Sequence, residues 1–230
     1  MEAIAESAVV VGHTPYLEAI RDLIEGKQRI ASGMTQEVER CRQALQLAAA
    51  GHVVALVCSG DPGVYGMAGL ALELAEAEGA RVPIEIVPGV TAATAAAAAL
   101  GAPLMLDFAA ISLSDLLVSW NVIRRRLEAV AAADLVTALY NPRSKRRVRQ
   151  LAEAIGIFRA ARPGPTPVGF VTAAGRPGQT VVVTDLDHAA EEHADMRTVV
   201  IIGNSTTRKI GPWIVTARGY VTSLSQDTSP

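Results

Sequence analysis

The sequence predicts an α/β fold of two lobes, the first built on a mainly parallel sheet and the second on a mixed sheet. Three observations predict it. Short uninterrupted runs of Val, Ile and Leu alternate with helical patterns through the first two thirds of the chain. Such runs are what strands buried on both faces of a helix-covered sheet look like. The alternation then gives way to strand runs with few helices between them. Finally, the clearest runs end in Gly, Pro, Asn or Asp, the residues that turn a chain.

Taken in order, 8–11 reads as a short buried strand ended by Gly12, and 14–25 as a helix. A second helix is expected over 35–50, with Thr35 as N-cap and Val38 and Leu45 inward. The run 53–58 is the clearest buried strand, stopping at Ser59-Gly60-Asp61-Pro62-Gly63, and a helix follows over 64–78. A strand over 84–87 ends at Pro88-Gly89, and the alanine-rich stretch 92–100 is a helix. The second half begins near Phe108, with a helix over 115–133, a strand over 135–140 ended by Asn141-Pro142, and a basic helix over 144–160. Strands follow at 168–172, 180–184 and 198–202, with a short helix near 187–193. The expected lobes are therefore 1–107 and 108–224, with 225–230 as a disordered tail.

Composition bounds the function. The chain has 230 residues, half of them apolar, 19% charged, with a formal net charge of −2. That supplies a sizeable core and excludes global disorder. It gives no general case for a nucleic-acid partner, which calls for a basic face. Two cysteines, Cys41 and Cys58, are too few for a disulfide framework and lack metal-ligand spacing, so a reduced, cytoplasmic setting and no metal are expected. The longest weakly polar stretch, 87–108, is mostly alanine and broken by Pro88, Gly89, Gly101 and Pro103, so no membrane partner is expected.

Ligands of open α/β sheets bind beyond the carboxyl ends of the strands. Four strand-end loops stand out: 59–65, 88–92, 140–145 and 172–175. The first places Asp61 between glycines, where a carboxylate can accept bonds from a ribose or an amino group; an ordinary turn capping the next helix explains it about as well. The second, Pro88-Gly89-Val90-Thr91-Ala92, puts small residues at a helix start, although taken alone a plain connection is the better account. The third concentrates cations in Tyr140-Asn141-Pro142-Arg143-Ser144-Lys145-Arg146-Arg147, suited to an acidic ligand. Arg147 and Arg149 read there as a solvated helix face, whereas Arg143 and Lys145 lie nearer the strand end. His13 follows the first strand-end glycine. No Gly-x-Ser-x-Gly elbow, Gly-Lys-Ser/Thr phosphate loop or Gly-x-Gly-x-x-Gly fingerprint is present, which disfavours the corresponding hydrolase, nucleotidase and oxidoreductase classes.

Several strings together resemble the tetrapyrrole methylase family: Val9-Val10-Val11-Gly12, Ser59-Gly60-Asp61-Pro62-Gly63-Val64-Tyr65-Gly66-Met67-Ala68, Val87-Pro88-Gly89-Val90-Thr91-Ala92, Ile111-Ser112-Leu113-Ser114-Asp115, Leu139-Tyr140-Asn141-Pro142-Arg143-Ser144-Lys145 and Ile202-Gly203-Asn204-Ser205 with Thr207-Arg208. The Gly-Asp-Pro loop is common to the family, while the 111–115 and 139–144 strings are specific to the branch acting at C-17 of the macrocycle. The resemblance implies a cytoplasmic homodimer of two α/β lobes with S-adenosylmethionine in the cleft between them. The implied reaction is methyl transfer to C-17 of precorrin-3B with ring contraction to precorrin-4, in cobalamin biosynthesis. It also implies cofactor contacts at Gly60, Asp61, Pro62, Val64, Tyr65, Thr91, Ala92, Tyr140, Ala173 and Ala174. Asn141, Arg143, Lys145 and Arg208 are expected on the substrate's carboxylates, and Asp61 and His13 are the candidate bases for ring contraction.

Two features depart from the family. Its first strand and Gly-x-Gly-Pro-Gly loop have no counterpart ahead of Val9, so the first lobe is expected to lack one sheet member. A histidine usual in the family is replaced by Leu106. The alternatives are a cobalt-bearing substrate, another ring carbon, or a paralogue that binds without turnover.

Overall fold

The computed structural model describes residues 2–220, and the chain divides into two compact units, Met1–Thr91 and Ala92–Pro230. The tail expected at 225–230 lies outside the described residues.

The first unit carries a three-stranded parallel sheet of β1 (Val9–His13), β2 (Gln28–Ser32) and β3 (Val54–Val57) in the order β2-β1-β3. It is preceded by the short helix α1 (Glu2–Glu6). β1 lies at the centre, with Val9, Val10 and Val11 fully buried. β2 was not foreseen because it is a polar edge strand, Gln-Arg-Ile-Ala-Ser, with no apolar run to announce it. Its presence shortens the helix expected over 14–25. α2 (Thr14–Ala19) tightens into a 3-10 turn at Arg21–Leu23, and Gly26, with φ of 76°, turns the chain into β2.

α3 (Glu37–Ala49) buries Arg40, Cys41, Ala44 and Leu45, and its first turn carries Glu37 and Glu39, which suit the positive end of the helix dipole. Burial pushes the Cys41 thiol up to about 11, so it stays protonated at neutral pH. α4 (Ala68–Ala77) starts later than the expected 64, because Val64–Gly66 belong to the turn before it.

The strand expected over 84–87 does not form. This segment takes no regular secondary structure; one edge of β3 pairs with β1, and its other edge has no strand partner among the described residues. A strand exists through its ladder, and without one Ile84, Ile86 and Val87 remain 37–44% exposed.

The second unit opens with α5 (Ala92–Leu100), as expected, and then β4 (Gly101–Ala102). The unit boundary precedes the 107/108 division read from the sequence for a packing reason. α5 buries Ala93, Ala96, Ala97 and Leu100, it lies on strands of the second unit, and the Leu100 side chain fills the space above Gly169. The main sheet has five strands in the order β5-β6-β9-β7-β8: β5 (Phe108–Ser112), β6 (Val136–Tyr140), β7 (Pro167–Thr172), β8 (Thr180–Asp185) and β9 (Thr198–Ile202). β5 and β6 are parallel, and the β6–β9, β9–β7 and β7–β8 pairs are antiparallel, so the sheet is mixed. β10 (Thr207–Ile210) and β11 (Trp213–Thr216) form a hairpin that joins β4 in a small second sheet.

α6 (Trp120–Ala132) and α7 (Gln150–Ala161) cover the main sheet. Both begin later than the sequence suggests. Ser119 is still extended, and the 144–149 segment is a loop in which the Ser144 hydroxyl accepts the N–H groups of Arg146 and Arg147. The core gathers Ile123 and Leu127 from α6, Leu151, Ile155 and Phe158 from α7, and Leu139, Phe170, Val200 and Ile202 from the strands.

At one end of this core Arg162, 5% exposed, donates to the carbonyls of Leu135 at 2.8 Å, Val130 at 3.3 Å and Gly203. Its guanidinium lies 4.8 Å from the Phe158 ring centroid. Replacing Phe158 with Ala removes both a fully buried ring and that platform. The expected cost is about 3–5 kcal/mol, read as a lower denaturation midpoint at unchanged slope.

Candidate active site

Parallel pairing in the first sheet brings three strand ends to one side. Gly12 aligns with Val57 and His13 with Ser32, so His13, Ser32-Gly33 and the loop from Ser59 leave at the same end. Asp61 organises that loop. One carboxylate oxygen accepts the Gly63 N–H at 2.8 Å and the other the Gly89 N–H at 3.0 Å, joining two of the loops singled out from the sequence. The Val64 N–H returns to the Asp61 carbonyl at 3.2 Å, and the Ala68 N–H to that of Pro62 at 3.0 Å.

The loops meet backbone to backbone. A Cβ on Gly89 would overlap the Gly60 carbonyl oxygen, and one on Gly66 the Pro62 carbonyl, so neither position tolerates a side chain. The Gly89 and Gly63 N–H groups hold the Asp61 carboxyl below its ordinary value of 3.8. Beneath this end Arg40, 3% exposed, donates to the Ser32 hydroxyl at 2.6 Å and the Gly33 carbonyl at 2.8 Å, and reaches the Met67 sulfur at 3.8 Å. Nothing in the sequence distinguished this arginine from a surface helix residue. His13 stacks edge-on to Tyr16, with ring centroids 5.1 Å apart.

In the second unit, β5, β6 and β7 also end at one side: Ser112 aligns with Tyr140, and along antiparallel β9 Leu139 pairs with Val200 and Thr172 with Thr198, the first residue of that strand. The Tyr140 hydroxyl accepts the buried Ala93 N–H at 2.9 Å, satisfying a donor at the start of α5 beside Ala92. Asn141 donates to the Ser112 hydroxyl at 3.0 Å. Thr172 and Thr198 share a hydroxyl bond of 2.8 Å, and the Ala173 N–H reaches the Arg197 carbonyl at 3.0 Å, with half-buried Ala174 following.

Arg147 is not the solvated residue the sequence suggested. It is 8% exposed, and its Nε donates to the Asn141 carbonyl at 2.8 Å; burial pushes its pKa down and Asp115 partly offsets this. Arg149 is exposed, and Arg143 and Lys145 stand in the same loop as Arg147. Arg208 is not brought to them. It follows β9, whose end lies beside the start of β6, where Asn204 donates to the Asp134 carbonyl; that is the opposite end of the sheet from Tyr140.

Backbone strain marks the same loops. Of the five non-glycine residues with positive φ among the described residues, Tyr65 (54°), Asn141 (51°) and Ala173 (52°) stand in them. Asparagine tolerates this region, whereas tyrosine and alanine do so at a cost, and such strain gathers at functional sites. Spacing alone could not have revealed it. A depressed carboxyl contributes its hold above the unfolded value and loses it as pH falls through the folded one. Amide exchange at Gly63 and Gly89 is therefore expected to stay protected from neutral pH down to 3.8 and to lose protection below it. Gly89→Ala is expected to remove that protection already at neutral pH.

The chain matches the family described as Tetrapyrrole (Corrin/Porphyrin) Methylases over residues 1–190. It is 46% identical over 220 residues to a probable cobalt-factor III C(17)-methyltransferase of Salmonella typhimurium, covering 96% of this chain and 91% of that one. It is 47% identical over 210 residues to a precorrin-3B C(17)-methyltransferase of a Sinorhizobium species, covering 90% and 82%. Among solved structures, the methyltransferase CobJ superposes with a TM-score of 0.89 at 43% identity, covering 94% and 91%. The uroporphyrin-III C-methyltransferase of Thermus thermophilus, complexed with S-adenyl homocysteine, superposes at 0.66 and 26% identity, covering 88% of each chain. With these loops, this topology and these matches, the chain belongs to the tetrapyrrole methylase family and is a methyltransferase.

Proposed function

We propose that the protein transfers a methyl group from S-adenosylmethionine to C-17 of precorrin-3B, with contraction of the macrocycle to precorrin-4. The observation that carries this reading is the 46–47% identity, over most of both chains, to enzymes named for that ring carbon. One observation favours a second substrate: the Salmonella relative is named for cobalt-factor III, the cobalt-bearing counterpart. The family resemblance supports a cytoplasmic homodimer, and no helix among the described residues is long and apolar enough to cross a membrane.

The donor fits the first unit's loop by its chemistry. Gly60, Pro62 and Gly63 leave backbone bare beside the Asp61 carboxylate, whose remaining lone pairs can accept from a ribose hydroxyl or an ammonium group. Bound there, the donor supplies an already activated sulfonium methyl. The protein's task is then alignment, which can contribute about 7–11 kcal/mol. In the second unit, Asn141, Arg143 and Lys145 are assigned to the carboxylate side chains of the macrocycle, with Arg208 left out because of its place in the sheet.

Ring contraction needs a proton removed. Asp61 is committed to two backbone N–H groups with a lowered pKa, which makes it a poor base. His13, aligned with Ser32 at the end of β1, is the better candidate by position.

Incubation with S-adenosylmethionine and each macrocycle, followed by product mass, tests the assignment. A one-methyl gain with precorrin-3B supports it, and turnover of cobalt-factor III alone replaces it with the second reading. His13→Ala is expected to keep methylation but slow contraction by about 10²- to 10⁴-fold. Arg143→Ala is expected to raise KM for the macrocycle by about tenfold or more, the worth of a charge-assisted bond, with donor affinity unchanged.

A further inference from the structure

The second unit presents an apolar tip that neither the core nor the assigned site explains. Leu116 and Leu117, adjacent in the connection between β5 and α6, are 80% and 94% exposed. Both flanks of the tip are fixed. Before it, Leu113 is fully buried, the Ser114 N–H donates to the Ser112 hydroxyl at 3.2 Å, and Asp115 accepts from the Gln150 amide at 2.9 Å. After it, Val118 and Trp120 pack on the core, and the Trp120 indole donates to Glu153 at 2.7 Å. A connection nailed on both sides holds its leucines outward, at a cost in exposed apolar surface that folding does not recover.

Two further bonds tie the tip to the cationic loop. Asn141 meets Ser112, and Arg147 reaches Ser114 at 3.4 Å, so both loops spring from one network at the carboxyl ends of β5 and β6. The loop carries Arg143, Lys145 and Arg146, and none of the three has a carboxylate partner among the described residues. The Arg143 Nε is buried without a hydrogen-bond partner. Two projecting leucines beside three unneutralised cations call for a ligand that is apolar across its face and anionic at its rim.

Resting on the function proposed above, we propose that Leu116 and Leu117 cover one face of the tetrapyrrole while its acetate and propionate groups lie on the Arg143–Arg146 loop. The tip is thus a substrate-positioning element that adds no reacting group.

The test is Leu116→Ser with Leu117→Ser, exposed changes that leave the core intact, assayed with precorrin-3B and with cobalt-factor III. Losing two apolar contacts is expected to raise KM for the macrocycle by about tenfold or more, with KM for S-adenosylmethionine unchanged. The loss should be the same at low and high salt, whereas Lys145→Ala should matter mainly at low salt. Turnover of the double variant equal to that of the parent overturns the tip assignment alone. A change in solution mass with macrocycle KM unchanged assigns the tip to a contact between copies and also overturns it. Parent protein inactive on both macrocycles overturns the functional reading and this inference with it.

Discussion

The working end of the first unit depends on one carboxylate that serves its own backbone. Parallel strands deliver their loops to a single side, and each loop arrives with N–H groups that have no ladder to join. Asp61 answers two of them at once, in the loop after β3 and in the loop after the 84–87 segment. Two glycines make that closure possible by leaving no side chain where main chains touch. The loop's shape, its bare surface and the strained backbone at Tyr65 are consequences of the closure.

The second unit reaches a comparable end with different chemistry. Tyr140 closes on the start of α5 through a neutral hydroxyl, and Arg147 closes on the Asn141 carbonyl and the Ser114 hydroxyl. Its cationic side chains include two contrasting groups. Arg147 and Arg162 are buried, as Arg40 is in the first unit, and are spent mainly on carbonyls and hydroxyls. Lys145 and Arg146 are exposed and have no carboxylate partner among the described residues, which is the arrangement for meeting an external anion.

Much of this was legible in the sequence. The strand runs around Val10, Val57, Leu139 and Val200 announced themselves through uninterrupted branched residues, and the four loops followed from strand ends. β2 was hidden by its polarity, and β4, β10 and β11 by their brevity. The 84–87 segment has strand composition yet no ladder, because composition states a preference and pairing needs a neighbour. The candidate residues named from the sequence are the ones that a loop motif carries. Arg40 and Arg147 were missed because a charge on a predicted helix reads as solvent-facing until the fold shows what surrounds it. Arg208 was misplaced because its motif adjoins a strand whose direction, reversed relative to β6, cannot be read from the residues.

The position of Arg162 has a practical consequence. It gathers the chain at the end of the sheet opposite Tyr140, and β6 separates the two with five residues, about 16 Å at 3.3 Å per residue. Changes that far apart combine nearly independently. The enzyme can therefore be toughened at its foot without blunting its mouth, which makes the surroundings of Arg162 the place to begin engineering a hardier catalyst.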